Sequence, residues 1–183
     1  MRHSRGTIMD GSLTRICFHL SKFFSFLFNT TVSDDHSTQP DPNRTSSSSS
    51  LMKKIEHFFS YVRQYTKATV GELLNIVLLI FRIAQNDNLR PHPIIQAHSL
   101  GMLLLAATVI TQKTMRDHPL PNKWWAKCFG ITTELLFQSE LFLLQQLEYR
   151  IWMGTDEYKS LFSSFLLLDG AEDTDSGSSV QAG

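Results

Sequence analysis

Between Leu51 and Leu168 apolar residues recur every three or four positions, and no segment alternates apolar and polar with period two. That spacing predicts helices and no strands. Ile55, Phe58, Phe59 and Val62 share one face of a first helix over 51–65. Thr69 followed by Glu72 has capping-box spacing, in which each side chain accepts a hydrogen bond from the other residue's orphan backbone N–H, so a second helix begins there. It runs through LLNIVLLIFRIAQ, apolar nearly all round, which suits a helix enclosed by others. Pro91 and Pro93 favour a loop and a new helix start. A third helix is expected over 94–115, with Ala106 and Ala107 leaving room for a close neighbour. After the break at RDHPLP, Asn122 is a candidate N-cap for a short fourth helix, KWWAKCF, which Gly130 can stop in the left-handed conformation. Thr132 or Thr133 caps a fifth helix reaching about Arg150, and Thr155 caps a sixth, DEYKSLFSSFLLL. The expected fold class is all-α: a single domain of five to six helices.

The flanks lack this periodicity. Residues 30–50, TTVSDDHSTQPDPNRTSSSSS, read as a linker that cannot repay its ordering entropy, and the acidic, small-residue segment 169–183 reads as a disordered tail. The chain therefore divides into an extension over 1–50, a helical domain over 51–168 and a tail over 169–183. Residues 13–28, LTRICFHLSKFFSFLF, are aromatic but contain Arg15, His19 and Lys22. They are too short and too charged to cross a membrane. A lysine inside the apolar run, with no small-residue cleavage pattern after it, argues against a signal peptide. The leading reading is a loosely amphipathic helix that packs on the domain or frays; interfacial membrane contact is the second.

Charge narrows the function classes. Seventeen Lys and Arg balance seventeen Asp and Glu, so nothing draws the chain as a whole to nucleic acid. Cys17 and Cys128 stand alone, which suits a reducing compartment and small apolar roles. No two of the seven histidines, nor a His with Cys or Glu, have ligand spacing on one helix face, so no metal is expected. No Ser–His–Asp, Cys–His or paired-carboxylate arrangement can be assembled in the helical region, so neither catalytic residues nor a cofactor nor a small-molecule substrate is expected. The glycosylation triplets at Asn29 and Asn43 are set aside for an intracellular chain.

Three features interrupt the pattern. Trp124 and Trp125 are adjacent, so they face different ways; Trp125 shares a face with Phe129 and reads as the buried anchor, leaving Trp124 toward solvent or a partner. Glu140 occupies a stripe position between Leu136 and Leu143 on the fifth helix. Lys113 follows Leu103, Ala106 or Ala107, and Ile110 at the next stripe position of the third. A carboxylate among leucines costs free energy unless it is paired or at the stripe's margin. Either Lys113 snorkels at a helix C-terminus and Glu140 sits at an edge or pairs with it, or both lie at the rim of an apolar surface awaiting a partner's backbone.

The run ATVITQKTMRDHPLPNKWWAKCFGITTELLFQSELFLLQQLEYRIWMGTDEY, from Ala107 to Tyr158, resembles the cyclin box, most closely that of the phosphate-pathway, P/U-type cyclins. The matching residues are Lys113, Asp117, Pro119, Asn122, Trp125, Ala126, Lys127, Gly130, Ile131, Glu140, Tyr149 and Arg150. The resemblance implies a single cyclin-box domain whose Lys113 and Glu140 grip a cyclin-dependent kinase by backbone groups near its regulatory helix. It implies fold-anchoring roles for Asp117, Asn122, Trp125, Ala126, Gly130, Tyr149 and Arg150, and a place in the nucleus or cytoplasm. The pattern departs at Phe81, where an Asp precedes the Arg matched by Arg82. It departs again at Gly101 and Met102, where many members have His-Arg, and at Arg116, which replaces an Asp. The leading expectation is a regulatory subunit that activates a cyclin-dependent kinase. The alternatives are a cyclin-fold adaptor for a non-kinase protein and a helical membrane-surface protein.

Deleting residues 1–30 separates two of these readings. If the aromatic segment covers the domain, the deletion lowers the melting temperature and leaves membrane sedimentation unchanged. Release of a membrane-bound fraction would favour the anchor.

Overall fold

The computed structural model describes Lys22 and residues 44–87, 94–96 and 99–170. The aromatic segment 13–28 apart from Lys22, Pro91, Pro93 and the tail beyond Gly170 lie outside the described residues. Six helices and no strands make up the described regular structure: α1 Arg44–Thr66, α2 Val70–Asp87, α3 Leu100–Met115, α4 Asn122–Phe129, α5 Thr133–Gln146 and α6 Thr155–Gly170.

Helix α3 is the axis of the fold. Every residue from Leu103 to Gln112 is buried, so it is enclosed on all sides. It packs on α2 and α5, while α4 packs on α5 and α2 touches α6. Ala106 and Ala107, both fully buried, allow the close approach that their size suggests. Helix α1 closes the core with Ile55, Phe59 and Val62, and its Phe58 and Tyr61 meet Phe129 of α4 at centroid distances of 5.8 and 5.5 Å.

Several boundaries differ from expectation. Helix α1 begins at Arg44, not Leu51, and takes in the serine run. Serine costs only a few tenths of a kcal/mol per helical position (about 0.5), and no proline or glycine occurs between Pro42 and Thr66 to break the helix. Helix α3 begins at Leu100, not Ile94. The Asp87 carboxylate accepts the backbone N–H of Ile95 at 2.7 Å, and the Ser99 hydroxyl donates to the carbonyl of Ile94 at 2.7 Å. Both bonds hold that backbone away from a helical ladder. Helix α5 ends at Gln146, four residues short of Arg150, because Glu148 and Tyr149 both turn left-handed (φ 51° and 57°). Thr155 is the first residue of α6, not its cap: the Gly154 carbonyl accepts from Tyr158, and Glu157 reaches back to the Gly154 N–H at 2.8 Å. Cys128, expected to fill apolar space, is exposed.

The capping box forms as expected. Thr69 N–H donates to Glu72 Oε2 at 2.6 Å and Glu72 N–H to Thr69 Oγ1 at 3.2 Å. Arg116 adds to it. The residue that departs from the cyclin pattern grips Glu72 with Nε and, at 2.8 Å, with Nη2, and donates from Nη1 to the Thr66 carbonyl at 2.9 Å. The end of α3 is thereby tied to the α1–α2 turn. Burial pushes the Glu72 carboxyl up, but hydrogen bonds from Arg116 and Thr69 outweigh it and hold the group below the usual carboxylate range.

A depressed carboxyl stabilises the fold above its unfolded pKa, about 4.3, and that contribution is lost as pH falls through the folded value. Glu72→Gln is therefore expected to melt lower than wild type at pH 7, with the difference shrinking toward pH 3. Parallel melting curves across that range would show that Arg116 and Glu72 are not energetically coupled.

Candidate functional site

The two charges on apolar stripes meet. Lys113, in the last turn of α3, places Nζ 2.6 Å from Oε2 of Glu140 in the middle of α5. The other carboxylate oxygen, Oε1, accepts from Nδ2 of Asn122 at the start of α4. One carboxylate thus joins three helices. The two partners of the ion pair are unequally placed: the Glu140 side chain is 7% exposed and that of Lys113 39%. Of the expected rim charges only the lysine is at the rim. Glu140 is recessed behind it, with both oxygens occupied from within the domain.

Asn122 differs in role from its expected one. The N-cap position of α4 belongs to Pro121, and no side chain caps it. Asn122 lies one residue inside, and its amide goes to Glu140 instead. Trp125, one turn on, is fully buried and stacks on Phe129 at 6.0 Å. Trp124 is half-buried, edge-on to Trp125 at 5.0 Å. Ala126 is buried, and Gly130 ends the helix with φ 64°, a conformation glycine adopts without steric cost.

The remaining residues of the motif scatter. Asp117 is exposed after α3. Tyr149 and Arg150 are exposed as well, and the Arg150 side chain pairs with Glu148 at 3.5 Å. Of the two, Arg150 is tied to another helix through its backbone carbonyl. Arg82 of α2, 19% exposed, donates to the Arg150 carbonyl at 2.5 Å, to the Trp152 carbonyl at 3.1 Å and to Glu157 at 2.7 Å. The sequence signals for this clamp were a cation inside the apolar run FRIA and the match of Arg82 to the Arg of the cyclin pattern.

Helix α5 leaves Leu135, Phe137 and Phe142 exposed, Leu135 and Phe142 on the side turned away from Glu140. Phe137 lies three residues before Glu140, hence on the adjoining flank of the helix. Among the described residues no group of three His, Cys, Asp or Glu could hold a metal, and no helix is long and apolar enough to cross a membrane.

The family model described as Cyclin matches residues 27–151, more than half of the chain. The chain belongs to the cyclin family. The matched cyclin box runs from upstream of α1 to the end of the α5 turn, so Lys113, Asn122 and Glu140 all lie inside it and α6 lies beyond. No curated protein and no solved structure matches the chain. Cyclins act as regulatory proteins, which agrees with a site made of one ion pair, one amide and an apolar flank.

The unequal exposure sets the energetics of this cyclin's pair. Removing Glu140 leaves a lysine that can turn to water; removing Lys113 leaves a recessed carboxylate short of a partner, at a cost of about 1–3 kcal/mol. Lys113→Ala is expected to lower the melting temperature more than Glu140→Gln does. Adding Glu140→Gln to Lys113→Ala should recover part of the loss, and a strictly additive double mutant in thermal melting would contradict the pairing.

Proposed function

We propose that this cyclin binds a cyclin-dependent kinase on the surface around Lys113 and Glu140 and thereby activates it. The observation that supports this is the half-exposed ammonium held by a recessed carboxylate. Lys113 has three N–H donors and directs one at Glu140, so two remain for the backbone carbonyls of a partner. Glu140 keeps lone pairs for a backbone N–H. The exposed Phe137, three residues before Glu140, supplies apolar area beside the polar contact, as in a protein-binding patch.

Activation then follows from differential contact. A kinase whose regulatory helix can adopt two positions shifts toward the one that this surface binds better, and that position brings together the Lys–Glu pair needed for phosphoryl transfer. Within the family we assign the chain to the P/U-type, phosphate-pathway cyclins on the run from Lys113 through Asn122, Trp125, Ala126 and Gly130 to Glu140. A place in the nucleus or cytoplasm belongs to the same reading, and the helical domain proposed over 51–168 extends upstream to take in all of α1. The partner is a protein kinase; neither nucleic acid nor a small-molecule substrate enters.

The test is recovery of kinases on the full chain from the set of cyclin-dependent kinases of its own organism, with Lys113→Ala as control at a temperature where both proteins are folded. Truncating one side of a charge-assisted interface bond costs about 2–5 kcal/mol, roughly 30-fold or more in affinity. A kinase bound by wild type and weakened to that extent by Lys113→Ala is the expected result. Wild type binding none of them would end the proposal.

A further inference from the structure

Asn is among the best N-cap residues because its side chain can satisfy an orphan backbone N–H. In α4 it stands one position too late to do so, after a proline cap without a side-chain bond. Its amide instead donates to Glu140 Oε1, leaving Oε2 to Lys113. This division of the carboxylate matters because the terminal torsion of a glutamate is soft and roughly two-fold. Without a donor on Oε1 the group can turn and take the ammonium with both oxygens, drawing Lys113 inward and using up N–H donors that would otherwise face outward.

We propose that Asn122 is a positioning residue for partner binding: from α4 it fixes the Glu140 carboxylate so that Lys113 projects its free donors from the surface. The inference rests on the kinase-binding reading. It gives the short helix a second duty besides packing. Helix α4 has eight residues and is held in its middle by Trp125 in the core and at its first residue by Asn122 on Glu140, so the seating of α4 and the orientation of the gripping pair are set together.

The experiment measures kinase affinity and melting for wild type, Asn122→Ala, Glu140→Gln and the double variant, using full-length protein and the kinase that wild type retains in the recovery above. Asn122→Ala is expected to weaken binding about tenfold, in line with loss of a hydrogen bond to a charged group, and to have little further effect in the Glu140→Gln background. Asn122→Gln, which keeps the amide on a longer arm, should restore part of the affinity. A purely structural role predicts a lowered melting temperature with unchanged affinity of the folded protein and equal effects on binding in both backgrounds; melting falls under either reading, and affinity decides. Either unchanged affinity or equal effects overturns the proposal while leaving kinase binding intact. A wild type that retains no kinase overturns both readings together.

Discussion

A carboxylate taken out of water among leucines has few tolerable states, and the Glu140 site adopts one of them. Its desolvation costs several kcal/mol if uncompensated. Compensation comes from two different helices, Lys113 on α3 and Asn122 on α4. Each of these contacts works at a donor–acceptor range of about 3 Å, so the three helices hold one relative placement or the charge is left unpaired. Hydrophobic packing of Leu136, Leu143 and Leu147 would tolerate sliding; the shared carboxylate does not. The ordering of α4 depends on it most, since a helix of two turns has too few internal hydrogen bonds to persist alone.

The same compensation explains which parts of the fold could be read from the chain. Helix identity was legible wherever apolar periodicity and a cap agreed: Thr69 with Glu72, Thr132 accepting from Leu135 at 3.1 Å, and Gly130 closing α4. Boundaries were misplaced where local backbone and turn contacts overrode the apolar spacing: Asp87 reaching Ile95 shortened α3, and the paired left-handed residues Glu148 and Tyr149 ended α5. The meeting of Lys113 and Glu140 was legible as one alternative because each broke a stripe. Their unequal depth was not, since it depends on how α3 and α5 cross. The use of Asn122 was hidden by its residue type, which fits a cap one position away.

The departure at Arg116 has a local cause. Where the cyclin pattern has an Asp, this chain carries an arginine, and the charge is absorbed by the Glu72 of the capping box together with the Thr66 carbonyl. A residue whose ordinary task is to begin a helix has become the counter-ion of a residue that ends another. The α1–α2 turn and the end of α3 are thus joined one turn away from Lys113, so that lysine sits on a helix end fastened on both sides.

The Arg82 clamp bears on mechanics. Arg82 holds the chain just after α5, at the carbonyls of Arg150 and Trp152, and holds Glu157 on the first turn of α6. Besides the covalent chain from α5, α6 thus has a second tie, through that one guanidinium, to α2, so the start of α6 is tethered to two helices that are far apart in sequence.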